Sequence, residues 1–144
     1  MQETQYVIEK IAYDENCDGA IKQALLDRVY ILEPGVVYFK QIPLHSTYSL
    51  DLMFDEMFRL GKSFEKWSVI IDLTEASRPD AQSRRKINQT FKRLTAEAVF
   101  IGFYTKGLVL NTIIRFVMYG LKSSSYTVST DYATILSAAR KSVR

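Results

Sequence analysis

Between Thr74 and Arg85 the sequence gathers Ser77, Arg78, Asp80, Ser83, Arg84 and Arg85. Asp80 is placed to cap a helix whose first turn is basic, and positive charge there opposes the helix dipole. Three guanidiniums around a helix start could receive an anion, such as a phosphate or a partner's carboxylate. The ordinary account is a solvated basic face balanced by Asp80 and Glu75, and no glycine-rich phosphate loop accompanies these residues. Asp72 ends an apolar run, at the edge where open α/β sheets hold their ligands. No second carboxylate, histidine or nucleophile stands at a spacing that pairs with it, so a capping or turn role is expected. Cys17 and His45 are the single cysteine and the single histidine. Two such residues provide neither a disulfide nor a multi-ligand metal cluster, and Cys17 lies among acidic neighbours that do not favour a thiolate. No catalytic set, metal site or cofactor is expected.

The elements that position these residues follow from periodicity. Gln5 to Ala12 alternate as a strand would, and a short helix is expected over Ala20 to Leu26. Arg28–Leu32 and Val36–Lys40 are β-rich runs joined by Glu33-Pro34-Gly35, which suits a type II hairpin turn. Thr47 and Ser49 offer hydroxyl caps to a helix carrying Leu50, Met53, Phe54, Met57 and Phe58 on one face, with Gly61 at its stop. Trp67–Leu73 is a central strand, and Asp80 then opens a helix burying Ile87, Phe91 and Leu94. A strand over Ala98–Tyr104, a helix over Leu108–Leu121, a strand over Ser125–Val128 and a helix over Asp131–Val143 complete the order. This alternation predicts an α/β fold. Its mostly parallel sheet has four to five strands, an N-terminal antiparallel hairpin and about four helices.

The 144 residues, 47% of them hydrophobic, suffice for one domain spanning 1–144, with residues 1–27 an N-terminal extension. A net charge of +3 is far below the excess expected of a phosphate-neutralising protein. Nine tyrosines and eight phenylalanines could stack bases, yet they lack interleaved basic residues, so nucleic acid is not an expected partner. The polar, acidic start and the absence of a roughly 20-residue apolar run predict a cytoplasmic chain without a transmembrane segment.

The hairpin, helix, Val69-Ile70-Ile71-Asp72-Leu73 strand, helix, strand, helix, short strand and final helix resemble the order of STAS domains, in particular their SpoIIAA-like relatives. The resemblance covers about Val29 to Val143. It implies a SpoIIAA-like fold and a regulatory role like that of anti-sigma-factor antagonists. In partner-switching members of that family a serine follows a functional aspartate at the loop-to-helix junction and is phosphorylated. Here Asp80 matches the aspartate, but Ala81 replaces the serine, while Ser77 and Ser83 lie nearby. The resemblance therefore implies a protein-binding module acting through the Thr74–Arg85 segment, without the usual phosphoserine. Related STAS/SEC14-type proteins resemble lipid-transfer domains.

The Leu108–Leu121 helix points the same way. Leu110, Ile113, Ile114, Val117, Met118 and Leu121 form one apolar face, and Leu108, Val109, Phe116 and Tyr119 extend apolar surface around the others. A helix apolar all round needs cover on more than one side. A neighbouring helix or the N-terminal segment, a second copy of the chain, or an apolar ligand or membrane surface could supply it. A protein partner or homo-oligomer is thus the first expectation, and a small apolar-ligand or lipid carrier the alternative.

Overall fold

The computed structural model describes residues 16, 18–43, 46–122 and 125–144. Among them the elements run α1 (Gly19–Leu26), β1 (Val29–Glu33), β2 (Val36–Lys40), α2 (Thr47–Gly61), β3 (Ser68–Asp72), α3 (Ala81–Glu97), β4 (Phe100–Tyr104), α4 (Leu108–Gly120), β5 (Tyr126–Ser129) and α5 (Tyr132–Ser142). The strand expected over Gln5–Ala12 lies outside the described residues, as do Cys17 and His45.

The strands form one sheet in the order β1-β2-β3-β4-β5. β1 and β2 are an antiparallel hairpin, and every later pair is parallel. Gly35 turns the hairpin at φ +83°, a left-handed conformation that glycine adopts without steric cost. β3 is buried along its whole length, as its β-branched composition requires of a strand covered on both faces. The parallel sheet and the hairpin are as expected, but the described residues form five helices instead of about four.

Alternate residues of each strand enter two separate cores. Val37, Phe39, Val69, Ile71, Ile101 and Phe103 point to the side carrying α1, α2, α3 and α4. Val36, Tyr38, Ile70 and Phe100 point to the other, where α5 supplies Ile135 and Ala139. A Cβ on Gly102 would collide with the Ile135 side chain, so this glycine lets α5 lie directly on β4. The Ser68 hydroxyl donates to the Ala139 carbonyl at 3.0 Å and ties β3 to the same helix.

One local expectation is corrected. The cap of α2 is Ser46, not Thr47, and Ser49 occupies the third helical position to complete a reciprocal capping box. Gly61 stands at the stop of that helix, as expected. It is the last helical residue, and any larger side chain there would strike the Trp67 indole.

Candidate functional site

The carboxyl edge of the parallel strands brings together residues distant in sequence. Asp72, nearly fully buried at the end of β3, accepts a 2.5 Å hydrogen bond from the Tyr38 hydroxyl on the neighbouring strand. Its other oxygen accepts from the Thr74 amide at 2.9 Å and the Thr74 hydroxyl at 2.6 Å. Tyr38 stacks on Tyr30 and meets Tyr132 edge-on, and Tyr132 in turn packs against Tyr104. Burial, and then the Asp72 carboxylate, push the Tyr38 phenol well above its ordinary range. This tyrosine layer was not identified from sequence, because its members come from β1, β2, β4 and α5 and no local spacing joins them. With its hydrogen bonds filled from two sides, Asp72 holds the turn at the β3 exit, the turn alternative of the expected capping or turn role.

Beside it, Arg28 donates to the Lys40 carbonyl at 3.1 Å and to the Gln41 carbonyl at 3.0 Å, and pairs with Glu75 at 2.6 Å. Lys40 reaches the same carboxylate at 3.8 Å. Glu75 is therefore occupied by the hairpin and does not balance the basic start of α3 as expected. Asp80 does: its carboxylate accepts from the Ser83 amide at 2.8 Å and places negative charge at the positive helix end.

The residues singled out around that helix start divide into two groups. Ser83 is only 1% exposed and its hydroxyl has no hydrogen-bond partner among the described residues, so it is closed to a modifying enzyme while the first turn stays folded. Ser77 is exposed, and its hydroxyl donates to the Pro43 carbonyl. Arg78, Arg84 and Arg85 are exposed, and their side chains form no ion pair among the described residues. Of the other basic residues of α3, two serve packing: Lys86 pairs with Asp51 of α2 at 2.5 Å, and Arg93 pairs with Glu97 and lies 3.7 Å above the Phe58 ring, while Lys92 is exposed.

The second region is the outward face of α4. Ile114 and Met118 are buried against the sheet, and Leu110, Val117 and Leu121 pack beside them. The opposite face is bare: Leu108 is 78% exposed, Val109 77%, Ile113 54%, Phe116 79% and Tyr119 82%. Ile113 belongs to this outer face and not to the buried one. The 3–4 spacing of so many apolar residues generates two overlapping stripes, and the sheet covers only one of them. Thr112 is the polar residue within the bare face, and its hydroxyl is used locally on the Leu108 carbonyl at 3.0 Å. At the flank, Arg115 donates to the Val128 carbonyl of β5 at 3.1 Å.

Two open depressions lie by the hairpin turn, lined by Glu33, Pro34, Lys66, Arg140 and Val143, and neither reaches α4. Among the described residues no group of three or more His, Cys, Asp or Glu side chains could hold a metal ion. Among the described residues no helix is long and apolar enough to cross a membrane. Comparison with protein-family models, with curated proteins and with solved structures finds no match.

Proposed function

We propose that this chain is a non-enzymatic docking module of STAS-like, SpoIIAA-like architecture, whose working surface is the outward face of α4. One observation carries the reading: five large apolar side chains stand more than half exposed along a single helix. Contiguous apolar surface of that kind marks interaction sites. The order of hairpin, helices and strands on which the STAS resemblance rests is the order seen in the fold, and it supports the architecture. The carboxyl edge, where an α/β enzyme would keep its chemistry, is filled by hydrogen bonds internal to the fold. A carrier enclosing its ligand is less well supported, since the apolar residues of α4 face outward on a convex surface.

The test is Phe116→Glu. The residue is exposed, so circular dichroism and melting temperature should match the parent within error. Association of the chain with whatever covers α4, read by light scattering and by sedimentation with membranes, should fall at least tenfold. Unchanged association in both measurements would remove the reading.

A second surface has its own supporting observation, the exposed guanidiniums of Arg78, Arg84 and Arg85 beside the α3 start. A protein partner gripping the Thr74–Arg85 segment would be lost on Arg84→Glu with Arg85→Glu. Asp80 is the poorer choice for this test, because its carboxylate caps α3.

A further inference from the structure

The charge around α4 identifies what the bare face meets. From Ala98 to Thr130 the sequence carries no acidic residue, and its cations are Lys106, Arg115 and Lys122. Lys106 lies just before the helix, Lys122 just after it, and Arg115 along one flank. All three are exposed, and none forms an ion pair among the described residues. Lys122 adopts φ +57°, the left-handed position after a helix where glycine is the usual residue, so a strained backbone conformation carries a cation here.

We infer that α4 docks on an anionic membrane surface, with Leu108, Val109, Ile113, Phe116 and Tyr119 entering the headgroup boundary and Lys106, Arg115 and Lys122 remaining at the phosphate level. The inference rests on the reading of α4 as the docking face and names its occupant. Three arguments select this occupant. The apolar side chains spread over about 140° of the helix circumference at 100° per residue, a broad convex face that suits a plane better than the narrow stripe of anchors a protein groove receives. The face is about 20 Å long, and its rim is of one sign, the arrangement of an interfacial helix on anionic lipid. A second copy would bring cations against cations. It would also add only the five bare apolar residues of one helix, where a standard interface engages roughly 20 to 30 residues a side.

The full chain is mixed with vesicles of phosphatidylcholine, and with vesicles in which roughly one-third is phosphatidylserine, and bound protein is measured by sedimentation. Binding to the anionic vesicles should exceed binding to neutral ones at least tenfold and decline with added salt. Replacing Lys106 and Lys122 together by Glu should remove most of that preference, at roughly fivefold for each cation lost. Phe116→Glu should abolish sedimentation with both. Equal binding to both vesicle types, or preference untouched by the Lys106 and Lys122 changes, overturns the inference. If neither vesicle is bound but light scattering shows a dimer that Phe116→Glu dissolves, the occupant is a second copy. The lipid inference then falls while the docking face stands. If Phe116→Glu alters neither measurement, both fall together.

Discussion

Tyr38 and Asp72 show how a single contact stabilises one face of the sheet. A buried carboxylate is costly unless its lone pairs are filled, and Tyr38 and Thr74 fill them from two sides. Tyr38→Phe removes one donor to a charged acceptor and should cost about 1.5–3 kcal/mol in urea unfolding near neutral pH. The same phenol predicts a pH dependence. Folded Tyr38 keeps its proton above the pH of about 10 at which the unfolded phenol releases it. The unfolded chain then binds fewer protons than the folded one. Stability should therefore be complete below about pH 10 and fall above it, and Tyr38→Phe should flatten part of that decline. Asp72 was legible in the sequence as the last residue of an apolar run. Its partner was not, because Tyr38 stands 34 residues away on a neighbouring strand.

Helix α4 joins its two roles at its ends. It begins at Gly107 without a side-chain cap and closes on Lys122, whose amide donates to the Tyr119 carbonyl at 2.9 Å. Lys122→Gly should relieve the left-handed strain and raise stability by about 1 kcal/mol in thermal or chemical unfolding. It should also weaken adhesion to anionic vesicles about fivefold, by deleting one cation. A change that strengthens the fold and weakens the adhesion would separate the needs of the helix from those of its surface. Most elements were legible in the sequence. The apolar pattern located β3 and both long helices, α2 and α3, because periodicity reports burial directly. Caps were less so, since Ser46, Thr47 and Ser49 all offer hydroxyls and only backbone geometry makes Ser46 the cap. The outward face of α4 was foreshadowed by Leu108, Val109, Phe116 and Tyr119. Ile113 was misplaced, as the helical repeat does not say how wide a stripe the sheet will cover.

Across the whole molecule the layers are unequal. Four helices cover one face of the sheet, and α5 supplies the helical cover of the other among the described residues. Sequence periodicity located a helix over Asp131–Val143 but not the face of the sheet it would meet, because one amphipathic pattern fits either. A chain ending at Asp131 would uncover Val36, Tyr38, Ile70 and Phe100 together. It should bind a hydrophobic dye and aggregate, whereas the full chain should give a single cooperative unfolding transition. The order of the strands adds a consequence in time. β1 to β5 stand side by side in the sequence in which a ribosome releases them, so each can join its neighbour as it emerges. α5 follows all five, and Gly102 has already left room for Ile135 when it arrives. A sheet formed before α5 docks would leave Val36, Tyr38, Ile70 and Phe100 open on one side, the kind of surface a chaperone shields.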